Sequence, residues 1–237
     1  MIAKIKKQID CQLDPRDLRL SEDSLQLNNK KNYLIAGIDE VRKGALFGDL
    51  EICLAMADQE QIKLLENDPD IKDSKLVTKY NRPIIFNRIA YLYKIKYEII
   101  TVKPSEIDLN NLNQLLLEKY SLFKSLKNCQ KLIVDCPSNN LEKATRDLKD
   151  LLKINSKKEL DLVIENRADE KYKIVSCASI IAKHLAEEKF KELNKKWNYK
   201  LGSGYPSDLI TRKFYFENRD NPLFSDNIRK KWNISEN

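Results

Sequence analysis

The sequence predicts a three-layer α/β domain in which helices cover both faces of a mixed sheet. Two observations lead to this prediction. Strand-like and helix-like patterns alternate from Tyr33 onward. The first two strand patterns are separated by a turn so short that they are expected to form an antiparallel hairpin. A hairpin followed by alternating helices and strands is typical of a sheet with both parallel and antiparallel neighbours.

The elements up to residue 136 follow from their spacing. The opening hairpin consists of YLIAGID and LEICLAMA, joined through Gly44 to Gly48. Helical spacing is found in NRPIIFNRIAYLYK, where Pro83 is tolerated near the first turn. KYEIITVK is a predicted strand, PSEIDLNNLNQLLLEKYSLFKSLK a single long helix, and QKLIVDC a further buried strand.

The rest of the chain continues the alternation and suggests three regions. NNLEKATRDLKDLLK is a predicted helix, ELDLVIEN a strand, and VSCASIIAKHLAEEKFKELNKKW a helix, with a last helix in LITRKFYFEN. Residues 1–31 are polar and aperiodic, so we expect an N-terminal extension there. The predicted core domain spans residues 32–186, and a helical C-terminal part spans 187–237.

Composition indicates a globular protein with a densely charged surface. Of its 237 residues, 42% are hydrophobic and 33% charged. No apolar run approaches the roughly 18 residues of a membrane span, and the N-terminus lacks signal-peptide features. Five cysteines without a CxxC spacing favour a reducing compartment over a zinc site. We expect a cytoplasmic location, or a nuclear one in a eukaryote, and no membrane partner.

Charge and the single histidine narrow the function classes. The chain has 43 Lys and Arg against 36 Asp and Glu, a net charge of +7, which favours an anionic partner such as nucleic acid. The same excess of positive charge can arise in a Lys-, Asn- and Ile-rich chain whose composition reflects the base composition of the genome. His184 lies inside a helical pattern, a position more typical of packing than of a general base. Hydrolytic chemistry here would therefore use Asp, Glu and a hard cation.

Acidic residues stand at the ends of three predicted strands. Asp39 and Glu40 end the first strand, Asp135 ends KLIVD, and Asp169 follows LDLVIEN. An aspartate alone at such a place is commonly a turn or cap residue. Carboxylates gathered at one sheet edge repel one another unless divalent cations intervene, and two Mg²⁺ ions suit such a group. The adjacent pair is the strongest part of this pattern.

Six segments occur in the order and spacing of a known family. They are GIDEVRKGALFG, DSKLV, EIDLNNLNQL, LIVDC, RADEKYKIVSCASIIAK and GSGYPSD. Over about residues 33–232 the chain resembles type 2 ribonuclease H (ribonuclease HII), and most closely its archaeal and eukaryotic branch. The resemblance implies the ribonuclease H fold, a five-stranded mixed sheet flanked by helices. Residues 32–186 would be the catalytic domain, and residues 187–237 would complete the substrate groove.

The resemblance also implies an activity. The family cleaves the RNA strand of RNA–DNA hybrids, and it cleaves on the 5′ side of ribonucleotides embedded in duplex DNA, in ribonucleotide excision during DNA replication and repair. The product ends are a 3′-hydroxyl and a 5′-phosphate, and Mg²⁺ or Mn²⁺ is required. The family's catalytic and metal-binding carboxylates, which are expected to hold two ions, fall on Asp39, Glu40, Asp135 and Asp169.

Further residues match substrate contacts of the family. Lys75 is suited to meet a phosphate, and Tyr205 matches a tyrosine that stacks on the sugar after the ribonucleotide. From the residues alone, Asn113 is equally explained as a polar helix position and Tyr205 as a core aromatic. The full set of expected contacts is Arg42, Lys43, Gly44, Ser74, Lys75, Asn113 and Tyr205.

The loop after the acid pair departs from the family. The usual Gly-Arg-Gly is replaced by Arg42, Lys43 and Gly44. Any positive φ required at position 42 then costs about 1 kcal/mol or more. Two hypotheses follow: an active enzyme, or a degenerate homologue that binds hybrid and cleaves weakly. A third, another nuclease or recombinase on the same fold, is disfavoured by the RADEKY and GSGYPSD segments.

The expected partners are an RNA–DNA hybrid or a DNA duplex containing ribonucleotides. Eukaryotic relatives work with two accessory subunits, and archaeal relatives work alone. Neither end of the sequence carries a QxxLxxFF-type motif, so attachment to a sliding clamp is not predicted.

Overall fold

The strands of the described chain form one mixed sheet. The computed structural model describes residues 33–71, 76–136, 138–156, 160–198, 200–232 and 234. The extension predicted for residues 1–31 lies outside this set, and so do Ser74 and Lys75. The five strands are β1 (Ile35–Val41), β2 (Leu50–Ala57), β3 (Lys96–Val102), β4 (Lys131–Asp135) and β5 (Asp161–Glu165).

The sheet has the order β3-β2-β1-β4-β5. β1 pairs antiparallel with β2, and β2 pairs antiparallel with β3. β4 runs parallel to both β1 and β5, with Ile38 opposite Val134 in the first pair. The predicted hairpin and five-stranded mixed sheet are thereby confirmed. The parallel arrangement brings the carboxyl ends of β1, β4 and β5 to the same edge, where the acids were predicted.

Helices cover both faces of this sheet. The described α-helices are α1 (Gln59–Glu66), α2 (Arg82–Asn87), α3 (Pro104–Leu109), α4 (Leu112–Ser121), α5 (Leu141–Ser156), α6 (Ala168–Lys171), α7 (Lys173–Lys196) and α8 (Leu209–Asn218). The π-helical turn Arg88–Leu92 extends α2, and short 3₁₀ turns occur at Lys124–Asn128 and Pro222–Phe224. α1 had no counterpart among the predicted elements.

The single long helix predicted from Pro104 onward is wrong. The chain leaves the helical conformation at Asn110 and Asn111, which separate α3 from α4. The Asn111 side chain accepts a hydrogen bond from the backbone N–H of Gln114 and caps α4. Asparagine favours such caps over helix interiors because its amide competes for nearby backbone groups.

The longest helix, α7, lies directly on β1. A Cβ atom on Gly37 would be 2.8 Å from the backbone of Ile174 and Val175, so only glycine permits this approach. α7 runs without interruption across the predicted boundary between residues 186 and 187. The division into a core domain and a C-terminal part therefore stays a prediction.

Three apolar clusters account for the core of the described chain. One fills the face of the sheet covered by α4 and α5, and a second fills the face covered by α7. The third lies between the loop after β1 and the C-terminal helices, and its buried members are Leu46, Phe47, Phe190, Leu201, Tyr215, Phe224 and Ile228. This third cluster ties the two predicted regions together around the loop that follows the acid pair.

The remaining predictions concern individual groups. His184 packs against Phe86, with ring centroids 4.3 Å apart, as a packing residue would. The described cysteines Cys53, Cys129, Cys136 and Cys177 are buried free thiols. In the part of the chain that the structure describes, none of the helices has the length and apolar character needed to span a bilayer.

Candidate metal centre and the adjoining loop

Three aspartates meet at the carboxyl edge of the parallel strands. Asp39 lies in β1, Asp135 is the last residue of β4, and Asp169 is the second residue of α6, just after β5. Each contributes one carboxylate oxygen to a group whose atoms all lie within 4.8 Å of one another. Residues 130 positions apart are thus brought together by the strand order.

The turn into α6 explains how Asp169 reaches this group. Arg167 adopts a left-handed conformation with φ 59°, which turns the chain sharply after β5. The backbone N–H of Ala168 then donates to Oδ1 of Asp135 at 3.0 Å, and Ser176 Oγ donates to the carbonyl of Asp169. The two acids are held by hydrogen bonds to the backbone of the same short helix.

The electrostatics of the group favour a cation. Burial raises the pKa of Asp39 well above its usual value, and the charges of Glu40, Asp135 and Asp169 raise it further. A hydrogen bond from Ser179 acts in the opposite direction. Buried carboxylates that raise one another's pKa are stabilised when a divalent ion neutralises them, and carboxylate oxygens are the ligands that Mg²⁺ and Mn²⁺ prefer. The residues therefore fit a hard divalent metal.

Glu40 lies beside this group but on the other face of the sheet. Adjacent residues of a strand point to opposite faces, so Asp39 faces α7 while Glu40 faces α4. Tyr120 of α4 donates its hydroxyl to Oε2 of Glu40 at 2.8 Å. Burial raises the pKa of Glu40 to about 7, although the Tyr120 hydrogen bond and the charge of Lys43 lower it. Glu40 thus approaches the edge from the side opposite Asp39.

Comparison with known proteins decides the family. A family model described as ribonuclease HII matches residues 36–234. The chain belongs to the ribonuclease HII family. The resemblance noted in the sequence is confirmed, and the enzyme is an endoribonuclease that hydrolyses RNA in RNA–DNA hybrids. The family depends on divalent metal, which agrees with the buried aspartate group.

Archaeal ribonucleases HII are among the most similar proteins. The Methanococcus aeolicus enzyme is 34% identical over 241 residues, which cover 92% of this chain and 85% of the relative. The crystal structure of ribonuclease H2 from Pyrococcus horikoshii matches with a TM-score of 0.69 and 32% identity, over 84% of this chain and 93% of that one. The ribonuclease HII solved in complex with PCNA from Archaeoglobus fulgidus gives a TM-score of 0.71 and 29% identity, over 85% and 96%.

In the loop after the acid pair, residue 42 has the positive φ that is typical of glycine, although it is an arginine. Arg42 has φ 65°, so the positive φ considered for this position is present. Its side chain turns inward: Nη2 donates to the carbonyl of Phe47 at 2.7 Å, and the guanidinium carbon lies 3.9 Å from the ring centroid of Phe190. The Arg42 guanidinium is therefore buried, and the expectation that Arg42 contacts substrate stays a prediction.

The other expected contact residues differ in placement. Lys43 is half-buried and close enough to Glu40 to lower its pKa, while Gly44 is exposed with open space around it. Tyr205 is half-buried, and its ring lies 5.2 Å from the Arg42 guanidinium. Asn113 is exposed near the start of α4. It lines a groove of about 260 Å³ whose other lining residues include Gln114, Tyr120, Cys136, Asn140 and Lys143.

Three residues at the site were not predicted from the sequence. Ser179 and Tyr120 hydrogen-bond the acid pair, and Arg229 binds the loop after it. Ser179 lies in the VSCASIIAK segment used for the resemblance, and Arg229 lies in the IRKKW segment near its end. No sequence pattern distinguishes Tyr120, because its partner is 80 residues away.

Proposed function

We propose that Asp39, Glu40, Asp135 and Asp169 hold two Mg²⁺ or Mn²⁺ ions. The enzyme then cleaves on the 5′ side of ribonucleotides embedded in duplex DNA, as well as within hybrids, and leaves a 3′-hydroxyl and a 5′-phosphate. The observation that supports this proposal is the convergence of three carboxylates, those of the buried Asp39 and Asp169 and the half-buried Asp135, within 4.8 Å at the end of the parallel strands. Glu40 completes the ligand set from the opposite face.

Neighbouring residues orient the carboxylates of this proposed centre through hydrogen bonds. When bound, two such ions supply an activated water and stabilise the leaving oxygen of a phosphodiester. Asp39 and Asp135 are oriented by Ser179 and by the N–H of Ala168. Tyr120 holds Glu40 in one position, so its carboxylate need not reorganise during the reaction.

Nucleic acid is expected to lie across the loop after β1. Lys43 and Gly44 border the acid pair, and Tyr205 stands beside the same loop, placed to stack on a sugar. Asn113 extends the contact surface along α4. Ser74 and Lys75, which lie outside the described residues, are proposed to meet the phosphate backbone.

The degenerate-homologue hypothesis is the second candidate. It rests on the loss of the first loop glycine. The observation against it is that Arg42 nevertheless holds φ 65°, fixed by the inward packing of its side chain. A loop that retains the required backbone conformation favours an active enzyme.

One cleavage experiment separates the two candidates. Labelled duplexes with one ribonucleotide, with a continuous RNA strand, and with DNA alone are incubated with enzyme in Mg²⁺, Mn²⁺ or EDTA. We expect cleavage of the first two substrates in either metal, a cut 5′ of the single ribonucleotide, and no cleavage in EDTA. If the protein binds hybrid but cleaves it neither in Mg²⁺ nor in Mn²⁺, the degenerate-homologue hypothesis is correct.

The proposed partner is limited to nucleic acid. The Archaeoglobus fulgidus relative was solved in complex with PCNA. We do not extend that contact to this chain.

A further inference from the structure

Arg229 is a fully buried cation whose side chain, among the described residues, donates its hydrogen bonds to the loop after the acid pair. Its side chain is 0% exposed. Nη1 donates to the carbonyls of Arg42 at 2.7 Å and Lys43 at 3.0 Å. Nε and Nη2 both donate to the carbonyl of Gly48, at 3.1 and 2.9 Å. Within the described residues, Arg229 forms no ion pair with a carboxylate.

The loop is also joined to Arg229 and its neighbours through the backbone. The N–H of Arg229 donates to Leu46 at 2.9 Å, and the N–H of Gly48 donates to Asn227 at 2.7 Å. Both ends of the loop are therefore tied to the same three-residue segment. A segment near the end of the chain thus fixes the conformation of a loop about 180 residues earlier.

These contacts determine where two backbone N–H groups point. In a planar trans peptide the N–H is opposite to the carbonyl of the preceding residue. Because the carbonyls of Arg42 and Lys43 point at Arg229, the N–H groups of Lys43 and Gly44 point away from it, toward the exposed side of the loop. Neither N–H donates to a backbone or side-chain acceptor among the described residues. Successive free N–H groups beside a left-handed residue form an anion-binding arrangement.

The positive charges of Arg229 and Arg42, which lie behind the loop, also favour an anionic ligand. Burial lowers the pKa of Arg229 to about 10, and the charge of neighbouring Arg42 adds to this effect, so Arg229 stays cationic at neutral pH. Arg42 is likewise buried, and among the residues that the structure describes its Nε has no hydrogen-bond partner. The charges of nearby carboxylates, among them Asp49, act on both guanidiniums, but none of the described carboxylates is ion-paired with either. We infer that part of this positive charge is available to an anion at the loop surface. A phosphodiester on that surface would offset it.

We propose that Arg229 is a positioning residue for cleavage. It orients the Arg42–Lys43 and Lys43–Gly44 peptides so that their N–H groups bind the substrate backbone next to Asp39 and Glu40. Arg229 itself does not touch the nucleic acid. The inference rests on the proposed function for the identity of the substrate, and its test includes a binding measurement that needs no cleavage.

The test compares Arg229→Met and Arg229→Lys with Phe224→Leu. Met keeps much of the volume but removes the donors, and Lys keeps the charge but cannot reach all three carbonyls. Phe224 packs in the same C-terminal cluster, with its ring against Trp197, and its side chain has no hydrogen-bond donor for the loop carbonyls, so its variant controls for lost stability. Affinity for a duplex with one ribonucleotide is measured by fluorescence anisotropy in EDTA, and kcat/KM and the half-saturating Mn²⁺ concentration are measured by cleavage.

We expect Arg229→Met to weaken duplex binding about 10-fold and to lower kcat/KM about 100-fold, with Arg229→Lys intermediate. The half-saturating Mn²⁺ concentration stays within 2-fold of wild type, since the carboxylates are unchanged. Phe224→Leu, although destabilised, stays within 3-fold in every measurement. If Arg229→Met does not fold, the comparison rests on Arg229→Lys, which retains the charge and most of the side-chain volume.

Two results would overturn the inference. One is wild-type affinity in the Arg229→Lys variant together with wild-type cleavage. The other is a loss in the Arg229 variants that the Phe224→Leu control shares. If wild type fails to cleave but the Arg229 variants still bind the duplex more weakly, the proposed function is rejected, while the role of Arg229 in positioning the loop for duplex binding stands.

Discussion

At the residue scale, the aspartate group is a feature that folding alone does not favour. Asp39 and Asp169 are 6% and 2% exposed, and each carboxylate raises the cost of ionising its neighbours. Stability would be better served by amides of the same shape. Buried acids that persist against this repulsion are typical of a site with a chemical task.

This reasoning gives the first prediction. Asp39→Asn should lower cleavage in Mg²⁺ by at least about 10³-fold while changing hybrid affinity less than about 3-fold, because a ligand is lost but the contact surface is kept. In EDTA the variant should unfold at a higher temperature than wild type, since one repulsive charge is removed. Cleavage assays and thermal melts measure both effects. A variant that cleaves normally would show that Asp39 is not part of the reaction centre.

The second prediction concerns the left-handed residue Arg42. Arg42→Gly relieves about 1 kcal/mol of backbone strain but removes the hydrogen bond to Phe47 and the packing on Phe190. We expect a net loss of about 1–2 kcal/mol in the free energy of unfolding, measured by urea denaturation.

Lys94 supplies the matched control, because it is exposed and has φ 53°. Lys94→Gly relieves similar strain without losing buried contacts, so its stability should be unchanged or slightly higher. Equal stability changes in the two variants would mean that the inward contacts of Arg42 contribute nothing.

The acids and the arginine show what a sequence can reveal at this scale. Asp39, Asp135 and Asp169 were predicted because each stands at the end of a recognisable strand pattern. The order of the strands in the sheet then brings the three side chains together. The inward direction of Arg42 depends on Phe190 and on the absence of a side chain at Gly204, where a Cβ would lie 2.4 Å from Nη2 of Arg42. These partners are about 150 residues away, and no local pattern points to them.

At the element scale, the contact between β1 and α7 sets the geometry of the site. α7 carries Ser179, and β1 carries Asp39, so their separation decides whether the two side chains meet. Gly37 allows the helix backbone to lie against the strand. A larger residue there would push α7 away from the sheet edge.

The third prediction tests this close approach. Gly37→Ala places a methyl group 2.8 Å from backbone atoms of Ile174 and Val175, which cannot move as a side chain would. We expect a loss of about 2–3 kcal/mol in the free energy of unfolding. Gly44→Ala is the control, since nothing lies within 4 Å of its added Cβ, and its stability should change by less than about 0.5 kcal/mol. Similar losses at both positions would argue against a specific β1–α7 constraint.

Strands were predicted better than helices for a physical reason. β1, β2 and β4 each contain a short apolar run, and such runs have few alternatives. The span from Pro104 has continuous helical periodicity, but the amides of Asn110 and Asn111 favour a cap and a break. α1 was missed because its eight residues include a single buried one, Leu65.

At the scale of the whole molecule, we expect the net charge to promote the encounter with nucleic acid. The chain carries a charge of +7, and nucleic acid binding releases counterions from the phosphates it contacts. We expect the geometry of the proposed metal centre to act on a duplex that electrostatic attraction has already brought to the surface.

The fourth prediction follows from this attraction. Hybrid affinity in EDTA should fall about 100-fold between 50 and 200 mM salt, as about four phosphate contacts would produce. Lys43→Gln should reduce the slope of log affinity against log salt by about one, if Lys43 contacts a phosphate. Anisotropy titrations at four salt concentrations measure both slopes. An affinity that does not change with salt would contradict a phosphate-based contact surface.

The most direct test of the metal centre is anomalous diffraction from crystals soaked in Mn²⁺, collected at the manganese absorption edge. Peaks are predicted within bonding distance of Asp39, Asp135 and Asp169, with Glu40 bound to one of the ions. A fully soaked crystal with no anomalous peak at these carboxylates, or with peaks only elsewhere, would contradict the account.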